Sequence, residues 1–296
     1  MPELPEVQTI IDDLNRKIKG DTIVDFWSDW GKTIKGKSVE QFRKVIKNRK
    51  ILHARRIGKN IFIDLSGDKT LYIHLKMTGH LLVKKKEVRS KNNEAEKNYF
   101  NDKVNQYIHH IWKLKSGRTL EFSDLRKFGK IVLDDTDKIN QLKEIKSLGV
   151  DAMSPLFTFK KFSDILNRRQ KSPIGIILMD QNMISGIGNI YRSEILFDAR
   201  ILPTRKIVDI SVLERKKLHH SIIKILKKGI KYRGTSDSDY RDTSGAPGNY
   251  QKIILVYRRE KQKCRAYRQA GKRCGIIIVR GKMGQRSVFF CPACQK

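Results

Sequence analysis

No cysteine occurs before position 264 and no histidine beyond position 220. Acidic residues are scarce, with 31 Asp+Glu against 63 Lys+Arg and a net charge of +32. Apolar residues fill 39% of the 296 positions, yet nowhere do they approach the roughly 18-residue run that a membrane-spanning helix requires. The opening Met1-Pro2-Glu3-Leu4-Pro5-Glu6 has neither the basic start nor the apolar stretch of a signal peptide. These absences speak against a membrane protein, a secreted disulfide scaffold and a disordered chain. The length suggests about two domains of roughly 150 residues each. What is abundant is positive charge, and a folded chain carrying +32 attracts a polyanion, nucleic acid first.

Hydrophobic spacing divides the chain. Val7, Ile11, Leu14 and Ile18 fall on one helical face, which predicts a helix over 5–18 with Pro5 in its first turn and Gly20 after its end. From about 22 to 134 the pattern is that of strands, with hairpin signatures at Ser66-Gly67-Asp68 and Ser116-Gly117. A polar stretch over 84–106 reads as a mobile surface loop. Beyond Leu148-Gly149-Val150 helical patterns run to about 233, and Leu213, Leu218, Ile222, Ile225, Leu226 and Ile230 mark one amphipathic helix. Gly234 to Tyr250 is a Gly/Ser/Asp/Pro-rich loop long enough to have a function. The tail is again strand-like.

Two places could carry chemistry. If Met1 is removed, Pro2 becomes a secondary amine at the N-terminus; with a reference pKa near 8, an α-amino group is partly neutral and nucleophilic at physiological pH. Such an amine can attack a sugar C1′ to form an iminium, with Glu3 beside it as acid–base partner. On these residues alone, two Pro-Glu pairs are better read as a helix start. The second place is the tail, where Cys264, Cys274, Cys291 and Cys294 read as a metal site. With no histidine nearby, a tetrahedral site would need all four thiolates. Nine residues separate Cys264 from Cys274, which argues against a tight knuckle, though closure entropy grows only logarithmically with loop length. The inserted stretch from Arg265 to Arg273 could bulge toward a nucleic acid. Without metal, the ribbon would rest on Ile276, Ile278, Val288 and Phe290.

Met1-Pro2-Glu3-Leu4-Pro5-Glu6-Val7, Gly58-Lys59-Asn60, His74-Leu75-Lys76-Met77-Thr78-Gly79, Asp124-Leu125-Arg126-Lys127-Phe128-Gly129, Met179-Asp180-Gln181 and Gly186-Ile187-Gly188-Asn189-Ile190-Tyr191 follow one another in a fixed order. Together with the cysteine-rich tail, this series resembles the bacterial formamidopyrimidine-DNA glycosylases over essentially the whole chain. The resemblance implies an α+β fold: an N-terminal β-sandwich with a long helix, a helical domain with a helix-two-turn-helix, and a zinc-ribbon hairpin. The corresponding boundaries are 1–145, 146–250 and 251–296.

It also implies roles. Pro2 would be the Schiff-base nucleophile, Glu3 the acid–base residue, Lys59 an acid in strand cleavage, and Arg286 a helper in the second elimination. Met77, Arg126 and Phe128 would fill the void left when a damaged nucleotide is flipped out of the stack. Their Arg-Lys-Phe-Gly context, without apolar alternation, points them outward. Lys171 and Asn189 would contact phosphate, with Asn189 also capping the helix it opens. Tyr107 stands where the family often has a DNA-contacting histidine, with His109 following in register. The lesion-capping loop matches Gly234–Tyr250 but is unusually acidic around Asp237 and Asp239. The expected cofactor is one structural Zn2+ on the four cysteines.

The expected function is a cytoplasmic, nucleoid-associated, monomeric enzyme of base excision repair. It would excise oxidised purines from double-stranded DNA and cut the abasic strand by β,δ-elimination. Leu4 in the opening motif favours this purine branch. The alternatives are an endonuclease VIII-like glycosylase for oxidised pyrimidines and a non-catalytic binder of damaged DNA with the same fold. A basic chromatin-like protein would account for the charge but not for the ordered motifs.

Overall fold

A computed structural model describes residues 1–85, 99–237, 239–266 and 273–296. Most of the polar stretch over 84–106 and most of the insertion after Cys264 lie outside these residues. The chain separates into two compact units, Met1–Lys146 with Tyr232–Asn249, and Ser147–Lys231 with Tyr250–Lys296.

The first unit opens with α1 (Leu4–Lys17). Pro5 supplies a preset φ in its first turn, Glu6 accepts the Glu3 backbone N–H at 2.8 Å, and Arg16 and Lys17 complement the carbonyl end. Gly20, at φ +85, follows its end. Its buried stripe is Val7, Ile10, Ile11 and Leu14. Eight strands follow: β1 (Thr22–Ser28), β2 (Arg49–Ile57), β3 (Asn60–Leu65), β4 (Lys69–His74), β5 (His80–Lys84), β6 (Ile108–Leu114), β7 (Thr119–Ser123) and β8 (Lys130–Asp135).

They form one sheet in the order β5-β7-β6-β1-β2-β3-β4-β8, with every pairing antiparallel. β1 and β2 share only the Thr22–Lys50 and Ile23–Arg49 register pairs, so the sheet divides there into two four-stranded halves. Phe26, Trp112 and Phe122 from one half and Ile63, Leu71 and Leu133 from the other lie in the same core, joined by the α1 stripe. The expected sandwich with a long helix is therefore present, held by alternate apolar residues on each strand. Sequence reading missed α2 (Val39–Ile46), although Ser38 and Gln41 form its capping box. Two short helices, α3 (Thr136–Asn140) and α4 (Lys143–Lys146), follow β8.

In the second unit β9 (Val150–Asp151) pairs in parallel with β10 (Ile184–Ser185). Its helices are α5 (Phe159–Asn167), α6 (Ile174–Ile177), α7 (Asn189–Ala199) and α8 (Val212–Lys231). α7 is buried on nearly all sides, including its charged residues Arg192 and Glu194. Leu213 does not belong to the buried face of α8; it sits in the exposed first turn at 77% accessibility, while Leu218, Ile222, Ile225 and Leu226 are buried. β11 (Val279–Met283) and β12 (Arg286–Phe290) make the terminal hairpin. It packs through Ile278, Val288 and Phe289; Ile276, assigned to that core by spacing, is exposed. Among the described residues no helix is long and apolar enough to cross a membrane.

Candidate functional site

The head of α1 is a buried, charged corner. Pro2 and Glu3 are both buried, although Met1 is exposed. Burial lowers the pKa of the Met1 amine below its usual value; Glu3 and Glu6 oppose that shift, and Lys59 adds to it. Lys59 therefore lies within electrostatic range of the terminus. It is only 6% exposed, unlike the solvated lysine that composition alone would suggest. Gly58, at φ +58, and Lys59 form the two-residue turn between β2 and β3. Asn60 steadies that turn by donating to the Ile57 carbonyl at 3.0 Å and accepting from the Tyr72 hydroxyl at 2.9 Å. Glu6 reaches the 232–249 segment by accepting the Thr235 N–H at 2.7 Å. Further along α1, buried Asp13 accepts from Arg233 at 2.6 Å and from the Thr243 hydroxyl at 2.9 Å. The Gly/Ser/Asp-rich loop is thus fastened to the helix that carries Pro2 and Glu3.

Two turns of the same unit meet to present an exposed trio. Met77 is 45% and Phe128 53% exposed, while the Arg126 guanidinium lies 4.6 Å from the Phe128 ring centre and donates to Met77 Sδ at 3.0 Å. Buried Asp124 builds this arrangement. It accepts from the Thr78 hydroxyl and, at 2.8 Å, from the Gly129 N–H. Gly79 and Gly129 both press on Phe122; a Cβ at either position would come within 2.8 Å of that ring, so the closing glycines of both motifs are required by contact. On the other side of the loop, Lys127 holds its ammonium 4.2 Å from the Trp30 ring centre. Tyr107 is half-buried. His109 does not present itself to a ligand, being buried with Nδ1 at 2.9 Å from Asp29.

In the second unit, Asn189 and Arg286 line one groove of about 610 Å³ with Tyr257, Arg258, Arg280 and Phe289. Gln181 shapes the turn before α7 by donating to the Ile187 carbonyl at 2.8 Å and accepting the Gly186 N–H at 3.0 Å. Asn189 does not cap α7 as expected. Gly188 is the cap residue, and the Asn189 oxygen instead accepts from Arg192 at 2.6 Å. Lys171 is exposed between α5 and α6 and is not among the groove residues. Arg258 and Arg280 escaped sequence reading because no spacing separates them from the other cations. Glu260 also lines the groove.

The four cysteines converge despite the wide first gap. All four sulfurs lie within 4.8 Å of one another, with Cys264–Cys294 at 3.9 Å and Cys274–Cys291 at 3.8 Å. Tetrahedral zinc with Zn–S bonds of about 2.3 Å requires sulfurs about 3.8 Å apart, so the residues fit the ion. Burial, foremost, pushes the Cys264 thiol up to about 11 and raises that of Cys294. Four thiolates at this spacing need a cation to neutralise them.

Three family models match the chain: the formamidopyrimidine-DNA glycosylase N-terminal domain over residues 1–131, its H2TH domain over 148–240, and a zinc finger found in FPG and IleRS over 272–296. The chain is 38% identical to a formamidopyrimidine-DNA glycosylase of Pelotomaculum thermopropionicum, covering all of this chain and 99% of that protein. It is 32% identical to one from Ureaplasma parvum over the full length of both. Among solved structures, Lactococcus lactis Fpg with abasic-site DNA aligns at a TM-score of 0.82 and 28% identity, covering 99% of each chain. The same Lactococcus lactis protein with Fapy-dG-containing DNA aligns at 0.81 and 29%, covering 99% of this chain and all of that one.

Proposed function

We propose, from the premise that this chain belongs to the formamidopyrimidine-DNA glycosylase family, that it excises oxidised purines from double-stranded DNA and then cuts the abasic strand. The observation that carries the reading is the buried corner where the N-terminus, Glu3 and Lys59 come within electrostatic range. After removal of Met1, the Pro2 nitrogen attacks C1′ of the flipped nucleotide as the base departs and loses its proton; protonation of O4′ by Glu3 then breaks the C1′–O4′ bond and leaves a ring-opened iminium. Glu3 transfers protons at the deoxyribose. Loss of a C2′ proton then expels the 3′ phosphate, with Lys59 as acid, and a second elimination assisted by Arg286 expels the 5′ phosphate. Met77, Arg126 and Phe128 fill the vacated position, the stacked guanidinium meeting the orphaned base. Asn189 and Arg286 hold phosphate in the groove, while Lys171 and Tyr107 add contacts outside it. Cys264, Cys274, Cys291 and Cys294 hold the zinc, which supplies structure to the ribbon and no chemistry to the reaction. Along the sequence, residues 1–145 then form the catalytic domain, 146–250 the helical domain with the lesion-capping loop, whose 232–249 segment packs with the first unit, and 251–296 the ribbon, all acting on nucleoid DNA in the cytoplasm.

Borohydride added during reaction with an 8-oxoguanine duplex should trap a covalent adduct on a peptide that begins at Pro2. An adduct on Lys59 would overturn the assignment. A second reading has its own support, because Lactococcus lactis Fpg has also been solved with DNA containing an oxidized pyrimidine. Faster excision of an oxidised pyrimidine than of 8-oxoguanine from matched duplexes would favour it.

A further inference from the structure

The phosphate groove has a buried support that no motif marks. Arg192, in the first turn of α7, is 1% exposed, and one guanidinium nitrogen, Nη2, donates both to Asn189 Oδ1 at 2.6 Å and to the Ser287 carbonyl at 3.0 Å. The other terminal nitrogen, Nη1, donates to the Gly175 carbonyl in α6 at 3.2 Å. Guanidinium is donor-only, so an Asn189 amide facing it must present its oxygen inward. The NH2 end is then left to the groove, where an anion needs a donor. Ser287 lines the same groove beside Arg286, so the bond to its carbonyl sets the height of β12 against α7. Glu194 secures the opposite wall from the same helix. Its carboxylate accepts the N–H groups of Leu255, Val256 and Tyr257 at 2.9–3.0 Å, next to Tyr257 and Arg258 of the groove.

We propose that Arg192 is a positioning residue for the DNA groove: it fixes the Asn189 amide with its donor end outward and holds the β12 strand that carries Arg286. This rests on the reading of the groove as a phosphate site. Arg192 itself touches no DNA. It acts by removing the amide's freedom to turn its oxygen toward the phosphate. A buried guanidinium is costly to desolvate, and here two of its hydrogen bonds go to residues of the groove itself.

The test uses the zinc-loaded full-length protein and a duplex carrying a tetrahydrofuran abasic analogue. Asn189→Ala should weaken binding about ten- to a hundredfold, the worth of a charge-assisted hydrogen bond, and leave the salt slope unchanged because an uncharged amide neutralises no phosphate. If binding is not weakened, the phosphate reading of the groove fails whatever Arg192 does. Arg192→Met, which keeps the bulk and loses the donors, should weaken binding comparably, and adding Asn189→Ala to it should cost little more. Fully additive losses would overturn the positioning role. Should Arg192→Met not fold, Asn189→Asp carries the test. Its carboxylate would pair with Arg192, so the Tm should equal or exceed that of the wild type, while binding should fall below that of Asn189→Ala because only acceptors face the phosphate. A Tm below that of Asn189→Ala, with equal binding, would show that Arg192 does not address this side chain.

Discussion

Around α1 the buried charges of the first unit are mostly carboxylates, with Lys59 the buried cation near the N-terminus: Glu3, Glu6 and Asp13 are each at most 3% exposed, and Glu6 and Asp13 are gripped by the 232–249 segment. In the second unit the groove is ringed by cations, Arg258, Arg280 and Arg286, and a further cation, Arg192, lies buried behind it. A covalent step needs a few proton-transferring groups shielded from water, and a neutral amine beside them. A grip on phosphate needs cations that water can reach, because its strength comes from counterion release. The overall charge of +32 therefore describes the second task and conceals the first.

The largest effect that would break this contrast is at Glu3. Glu3→Gln removes the proton shuttle and keeps the shape, so excision of 8-oxoguanine should fall by about 10²- to 10⁴-fold in single-turnover assays, the usual worth of general acid–base catalysis. Binding of the abasic analogue should persist. If binding collapses with excision, the carboxylate belongs to the grip and the division of labour is wrong.

Next is the metal. Elemental analysis should find close to one zinc per chain, since four ligands complete one tetrahedron. Cys264→Ser should lower that content and weaken DNA binding severely, because β11 and β12 carry Arg280 and Arg286. The sandwich of the first unit, with a core that includes no cysteine, should keep its near-UV signal. Full activity with no bound metal would dismiss the site.

Why some of this could be read from sequence and some could not follows from what each residue depends on. The α1 stripe and the hairpins were legible because period and turn chemistry are local. The outward aim of Met77 and Phe128 was legible from a context without apolar alternation. Leu213 misled because periodicity cannot tell which end of a helix outruns its core. Asn189 misled because a capping asparagine and an asparagine held by a buried arginine three residues on look alike until burial is known. The convergence of Cys264 and Cys274 depends on the path of a nine-residue excursion, which spacing leaves open. Asp13 meets Arg233 from 220 positions away, and no local pattern encodes such a pair.

A smaller effect separates the units by acid. His110 lies fully buried among Phe26, Trp112 and Phe122, and neither ring nitrogen has a partner among the described residues. Burial lowers its pKa from 6.5 to about 4. The folded state thus binds the proton more weakly than the unfolded chain, so the native stability is complete above pH 6.5 and is lost as pH falls toward 4. At about 1.4 kcal/mol per pKa unit the loss reaches about 3 kcal/mol. His110→Phe, which suits the aromatic neighbours, should flatten this loss in urea titrations between pH 7 and 5. A profile parallel to that of the wild type would remove His110 as the cause. In the second unit burial instead raises the pKa of Glu194, whose contribution is present below the unfolded value and declines as pH rises through the folded one.

The smallest effect decides whether the cations act as a field or as contacts. Lys171 and Lys44 are both exposed lysines, the first in the second unit and the second on α2. If +32 acted only as a diffuse field, replacing either with alanine would weaken duplex binding equally and slightly, and screening by salt would erase both effects. If Lys171 sits on a phosphate, Lys171→Ala releases one counterion fewer on binding. The slope of log K against log salt should then fall by about 0.9, equally for damaged and undamaged sequences, because phosphate carries no sequence information. Lys44→Ala should leave the slope unchanged. Equal slopes for the two variants would return Lys171 to the general field and confine the specific grip to Asn189 and the arginines of the groove.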